Sequence, residues 1–252
     1  MSKSRRPNVR AEMRITIHQP QFLPWLGYLD KIDQADLFVA LDNVQFKKNE
    51  WQNRNRIRTA QGWQWLTVPV LHRFGQHVGA VRINSTETWE AQHLRSLQIH
   101  YARAPYRDQY LGELRELYET GWDRLSELNL AVLRWLLRAF GITTPIRLAS
   151  DWTLREEATD RLVDICRMTG ATSYLCGPGA EAYMDKERFQ ESGVELEVQV
   201  FRHPDYQQCY APFIDGMSAL DLLLCHGPNA REYLRGVGTK VAQWTVDSAS
   251  RS

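Results

Sequence analysis

The run Ile15-Thr16-Ile17 gives way directly to His18-Gln19-Pro20, so an imidazole and a primary amide stand where a β-branched stretch meets a turn. An imidazole takes a proton from an amine or hydroxyl near neutral pH, and a neighbouring glutamine offers both a donor and an acceptor to orient the reacting group. The segment continues through Trp25 and Tyr28 to Lys31, adding two ring walls and a cation. These types suit general-base chemistry on a ligand held between rings. The plainer alternative is a hydrogen-bonded structural histidine.

Three further stretches carry chemistry-bearing residues. Between Asp42 and Arg56 stand Asp42, Asn43, Gln45, Lys47, Lys48, Trp51, Asn53, Arg54 and Asn55, a mixture in which amides read hydroxyls and cations neutralise phosphate or carboxylate. Around Gly177-Pro178-Gly179 a strand is expected to lead through a tight turn into a helix carrying Tyr183, where free backbone amides attract anions. This is neither a Walker sequence nor a dinucleotide fingerprint. Finally, His203-Pro204 with Tyr206 and Gln207 follows another apolar strand and repeats the strand-then-histidine arrangement. If the sheet is mostly parallel, both histidines come out on one rim, where ligands bind in open α/β sheets. His18, His203 and a carboxylate such as Asp42 or Asp221 lack metal-ligand spacing, so no metal site is expected. Cys176 has no base in view to make it a nucleophile.

The elements needed to position these residues alternate in type. A strand over Arg14–Ile17, a helix over Trp25–Gln34 and a strand over Leu37–Leu41 read as a βαβ unit, and Trp65–Val70 as a further strand after the long polar loop. From about 89 to 141 the apolar spacing becomes helical, enough for three amphipathic helices. A strand over Ile146–Ala149, a helix over Arg155–Thr169, strands over Ser173–Leu175 and Val194–Phe201, and a closing helix over Met217–Cys225 complete the pattern. The expected class is α/β: a mostly parallel sheet of βαβ units with an inserted or appended helical segment. One domain over 13–238 is expected, after a flexible basic leader (1–12) and before a C-terminal tail (239–252).

The 252 residues carry 31 Lys+Arg against 30 Asp+Glu, a net charge of +1 that gives no general attraction to DNA or to an anionic membrane, although a local basic patch stays open. Four irregularly spaced cysteines point to reduced thiols, and no apolar run reaches membrane length, so a soluble cytoplasmic protein is expected. Nine tryptophans are the unusual feature of the composition.

At these same positions the chain resembles the WbqC-like family. The resemblance is carried by His18-Gln-Pro-Gln-Phe-Leu-Pro-Trp-Leu-Gly-Tyr28 with Lys31, Asp42-Asn-Val-Gln45, Trp51-Gln-Asn-Arg-Asn55 and Trp65-Leu-Thr-Val-Pro69. It extends to Trp89 with His93, Tyr101-Ala-Arg-Ala-Pro105, Tyr174-Leu-Cys-Gly177 with Tyr183, and Tyr206-Gln207 before Ser218-Ala-Leu-Asp221. It departs at Cys176, where many relatives carry serine, which argues against a thiol as the shared catalytic group. The resemblance implies a place in bacterial surface-glycan biosynthesis and transfer of an aminoacyl group, glycine in the suggested case, to an amino sugar. On that reading His18 takes the amine's proton, and Gln19 or Asn43 orients the nucleophile or the oxyanion. Lys47, Lys48 and Arg54 hold a phosphate-bearing arm, while Trp25, Tyr28 and Trp51 wall the site. No bound cofactor is expected. The partners are a small-molecule acceptor and an activated donor: a carrier-protein thioester, an aminoacyl-tRNA or an adenylate.

Two other readings stay open. A sugar- or nucleotide-binding module needs the same rings and amides without a base. Phe22-Leu-Pro24-Trp-Leu-Gly27-Tyr28 also looks like a degenerate nucleotidylyltransferase pattern, with Leu26 and Tyr28 in place of its histidines.

Overall fold

The computed structural model of the chain describes residues 12–182, 184–236 and 240–243. Nearly all of the leader, the last nine residues and Tyr183 lie outside them.

β-Branched Ile15, Thr16 and Ile17 form β1 (Arg14–His18). Two prolines then stop strand pairing, and the chain turns into α1 (Leu26–Asp33) and returns as β2 (Leu37–Ala40). β1 and β2 are parallel, with Ile15 opposite Leu37 and His18 opposite Ala40. The expected βαβ unit is therefore present. The chain next leaves the sheet for a hairpin, β3 (Arg54–Thr59) and β4 (Gly62–Thr67), and a small antiparallel pair, β5 (Val70–Leu71) and β6 (Arg82–Ile83). Three helices follow, α2 (Trp89–His100), α3 (Arg107–Glu119) and α4 (Leu125–Ala139), matching the helical spacing. β7 (Ile146–Leu148), α5 (Ala158–Thr169), β8 (Ser173–Cys176), α6 (Lys186–Ser192) and β9 (Glu195–Val200) rebuild the sheet. α7 (Ala219–His226), α8 (Ala230–Gly236) and β10 (Lys240–Gln243) end the described chain.

The main sheet has the order β10-β9-β8-β1-β2-β7, parallel throughout except for the edge strand β10. After β1 the chain runs outward to β2 and β7, then crosses back to lay β8 on the other side of β1. The strand order reverses there, and such a reversal leaves a crevice beyond the carboxyl ends of the two strands, here His18 and Cys176. Along β2, Phe38 and Ala40 face one apolar cluster while Leu37 and Val39 face the other, as period-two alternation requires of a strand covered on both sides. The first cluster joins α1 to α2, α3, α4 and α7. The second joins the sheet to α5 and α6.

Three expectations need correction. The polar stretch ending at Arg56 is not all loop: β3 starts at Arg54, and its partner β4 ends at Thr67, because Pro69 carries no N–H for a ladder. Gly177-Pro178-Gly179 opens only a short 3-10 turn, Pro178–Ala182, and α6 starts later behind an Asp185 cap. The third concerns the end of the fold, because α7 is not the last element and the stretch read as tail supplies β10.

Asp221, 0% exposed at the start of α7, accepts hydrogen bonds from the hydroxyls of Tyr101 and Tyr206, both 2.7 Å, and from the Gln208 amide at 2.9 Å. Burial, and then the charge of Asp221, hold both phenols far above their ordinary pKa, so both remain donors. Gln208 links onward to Arg58, 1% exposed, which also donates to the carbonyls of Gly62, Tyr210 and Pro212. This network fastens the hairpin to α2, α7 and the 206–214 segment. An Asp221→Ala protein leaves these donors without an acceptor and is expected to lose about 3–5 kcal/mol of stability, read as the urea midpoint at pH 7. A loss under about 1 kcal/mol would show that the network is not holding these elements together.

Candidate functional site

Each residue of the His18 segment is placed by the turn between β1 and α1. Leu23 has φ +43°, a left-handed conformation that costs a non-glycine residue about 1 kcal/mol, and it is held there by Asn55, whose amide donates to the carbonyls of Leu23 (2.8 Å) and Phe22 (3.3 Å). Gly27 is required by contact rather than by φ: a Cβ there would sit 2.3 Å from the Trp25 ring. The turn thus folds Trp25 back over the start of α1 and points Tyr28 and Lys31 toward the strand ends.

The ring of His18 is half-buried and meets Tyr28 edge-on, centroids 5.1 Å apart. Its Nδ1 lies 3.1 Å from the Gln19 carbonyl, which also accepts from the Tyr28 hydroxyl at 3.0 Å. A carbonyl only accepts, so Nδ1 carries the proton and Nε2 keeps a lone pair. Burial, and then the charge of Lys31, lower the His18 pKa to about 3, against a raising contribution from the Gln19 carbonyl. The imidazole is neutral across the physiological range. Lys31 is only 3% exposed, and burial lowers its pKa to about 8 against a raising contribution from Cys176. Among the described residues its ammonium has no hydrogen bond or ion pair. A buried cation with no ion pair among the described residues is costly, and such costs concentrate at functional sites.

Gln19 is fixed by a 2.6 Å bond from the Gln52 amide to its Oε1, which leaves its own NH2 as a donor. His18 and Gln19 stand on the rim of a cavity of about 320 Å³ lined also by Ile17, Leu41, Val44, Ala158, Arg161, Leu162 and Tyr174. Its walls are mostly apolar, and among the described residues that line it the one cation is Arg161, which spends one N–H on the Glu156 carbonyl at 2.7 Å. Arg161 was missed in the sequence. The available signal was its place in the first turns of the helix after β7, which necessarily starts at the ligand-binding rim of a parallel sheet. A larger hollow, about 730 Å³, lies at the opposite, amino-terminal rim around Arg14, Asp36 and Glu197, and holds none of the chemistry-bearing segments.

The cavity therefore has His18 and Gln19 on its rim, with Tyr28 buried against the His18 ring, Lys31 buried near enough for its charge to act on that ring, and Gln52 tying in the following loop. Asn43 stands at the end of β2 on the same rim, half-buried, its Oδ1 buried without a partner. Other expected site residues have their polar atoms occupied elsewhere. Asp42 accepts from the Ser150 N–H (2.9 Å) and hydroxyl (2.6 Å), Asn53 bonds the Val68 carbonyl and the Asn49 N–H, and Asn55 holds the turn. Gln45, Lys47 and Lys48 are exposed; Arg54 lies over the Trp65 ring, 4.1 Å from its centroid; and Trp51 packs on the same ring. Trp25 meets Phe201 edge-on at 5.3 Å. Gly177 accepts from the Ala180 N–H in its short turn, which lacks the long helix expected to attract an anion.

His203 does emerge on the same rim as His18, since β1, β8 and β9 are parallel, but it stacks on Tyr206 beside Phe213 and Phe201, two strands away. Tyr206 is committed to Asp221, and the buried amide of that stretch is Gln208, not the exposed Gln207. Tyr183 lies outside the described residues. Cys176 is 1% exposed within the apolar cluster under α5. Among the described residues no three His, Cys, Asp or Glu side chains are grouped to hold a metal ion, and no helix is long and apolar enough to cross a membrane.

A family model described as the WbqC-like protein family matches residues 19–233, from the site glutamine to α8. The chain belongs to the WbqC-like protein family. Among curated proteins it is 35% identical over 226 residues to a Mycobacterium tuberculosis (strain ATCC 25618 / H37Rv) protein named Uncharacterized protein Rv1507c, covering 88% of this chain and 97% of that one. No solved structure matches significantly. Membership in the WbqC-like family associates the chain with enzymes of glycan biosynthesis.

Proposed function

We propose that this WbqC-like protein is an acyltransferase that forms an amide between an activated aminoacyl group and the amine of an amino sugar or related small metabolite. One observation carries the reading: a neutral imidazole with Nδ1 committed to a backbone carbonyl and Nε2 left as an acceptor, set against a buried lysine at the sheet's reversal point. In the proposed step the amine nitrogen adds to the acyl carbon and its proton passes to His18 Nε2. The C–N bond forms, the C–S or C–O bond to the donor breaks, and the same proton leaves with the departing thiol or oxygen. A base with so low a pKa does not hold the proton; it relays it within the step. The Gln19 NH2 and the Lys31 ammonium supply positive potential for the negative charge that develops on the acyl oxygen. The donor brings its own activation, so the step as written uses no resident cofactor.

The test is direct. The protein is incubated with an amino sugar and, in separate reactions, a glycyl carrier-protein thioester, a glycyl-tRNA and a glycyl adenylate, and the sugar is followed by mass spectrometry. A glycyl mass gain from one donor, absent with the N-acetylated sugar, is the expected result. Sugar binding without product from any of the three would favour a non-catalytic binding module.

A further inference from the structure

One face of the β3–β4 hairpin carries charge and rings that the His18 crevice does not use. Period-two alternation puts Arg54, Arg56 and Arg58 on the same side of β3, with Trp65 opposite Arg56 and Trp63 opposite Arg58 on β4. The Arg54 guanidinium lies 4.1 Å from the Trp65 ring centre, and that of Arg56 lies 5.3 Å from Trp63 and 5.7 Å from Trp51. Trp65 touches both other indoles, at 5.6 Å to Trp51 and 5.3 Å to Trp63. Arg58 is consumed by carbonyls, but Arg54 and Arg56 have no ion pair among the described residues, and the Nε–H of each is buried without a partner. Among the described residues the Arg56 guanidinium makes one hydrogen bond, to the Gly216 carbonyl at 3.0 Å. Exposed Lys47 and Lys48 precede the hairpin, and Glu50, the acid of that loop, is in no salt bridge among the described residues.

A chain of net charge +1 thus concentrates cations with no ion pair among the described residues beside indoles that meet tilted or edge-on. Planar π faces take planar rings, and guanidinium groups held beside indoles take phosphate oxygens. Trp51 and Trp65 are half-buried, whereas Trp63 is 43% exposed, so one open ring is offered rather than a row of them. We infer that this hairpin face is a subsite for a single nucleotide: the base stacks on Trp63 and the phosphates meet Arg54 and Arg56. The subsite stands apart from the His18 chemistry, and it fits a substrate delivered as a nucleoside diphosphate conjugate.

Equilibrium dialysis of the full chain with UDP, ADP and inorganic pyrophosphate tests this. The two nucleotides are expected to bind with similar affinity, and pyrophosphate about tenfold more weakly. Trp63→Ala should weaken the nucleotides about tenfold without changing pyrophosphate, Trp63→Phe should restore most of the loss, and Arg54→Gln with Arg56→Gln should weaken all three. His18→Gln should leave nucleotide binding unchanged, which separates failure here from failure of the proposed transfer reaction. No nucleotide binding at millimolar concentration, equal binding of pyrophosphate and nucleotides, or indifference to Trp63→Ala overturns the inference. So does a single-stranded RNA hexamer that binds far more tightly than either nucleotide, since that describes a nucleic-acid track.

Discussion

A His18→Gln protein is expected to lose amide formation by a factor of about 10² to 10⁴, the range that a positioned proton acceptor contributes, while remaining folded. Glutamine can keep a hydrogen bond to the Gln19 carbonyl, but it brings no basic nitrogen to the position of Nε2. Single-turnover rates with whichever of the three donors supports transfer check this. Unaltered turnover, or a protein that no longer folds, ends the case for His18 as the base. The same substitution carries a stability signature whose sign follows from linkage. His18 has a folded-state pKa of about 3 against an ordinary value of 6.5, so below pH 6.5 the unfolded chain takes up a proton that the folded chain refuses. Stability from this group is complete above pH 6.5 and falls on acidification toward pH 3, by up to about 1.4 kcal/mol per pH unit. His18→Gln removes that dependence. His93, lowered to about 4 by burial and bonded to the Thr67 carbonyl, keeps its own in both proteins.

A Lys31→Met protein is expected to be more stable than the parent at pH 7, by on the order of 2 kcal/mol, and to be close to inactive. The lysine pKa falls from 10.5 to about 8 on folding, so at neutral pH the folded chain carries a buried charge that the unfolded chain carries in water. The penalty is complete below about pH 8 and fades as pH rises through 10.5, beyond which both states are neutral. The stability advantage of the variant should therefore shrink across that interval, which distinguishes charge burial from better packing by methionine. Unfolding midpoints at pH 7 and pH 10.5 read it. A variant less stable than the parent at pH 7 would mean that the ammonium has compensation after all. If the charge serves the acyl oxygen, parent turnover should also decline above about pH 8 as the ammonium loses its proton.

The parts of this architecture that were legible share a local cause. The β1–α1–β2 unit announces itself because three β-branched residues, two prolines and a short amphipathic stretch each act within a few positions, and α2 to α4 show their buried faces by spacing alone. The β3 strand hid because its inward alternation is Asn55, Ile57 and Thr59, only one of them aliphatic, against three arginines. Site residues divided in the same way. His18 stood out because a histidine at the end of a buried strand is badly placed for packing alone. Asn53, Asn55 and Asp42 have protein partners that the sequence did not show, because a polar side chain in a loop bonds the backbone as readily as a ligand, and composition does not say which. Arg161 was overlooked because its place near the start of a helix gains meaning only when the return of the chain across the sheet brings that helix beside β1.

That return also governs when the protein can form. Arg14 of β1 pairs with Ser173 of β8, so one side of the central strand stays unmatched until most of the polypeptide has left the ribosome. Sheet partners so distant along the chain are slow to meet, and an unmatched strand edge invites other chains in the meantime. The crossover that opens the crevice beside His18 is thus the same feature that leaves the growing chain with an open edge, and ties the location of the chemistry to the hazard of its synthesis.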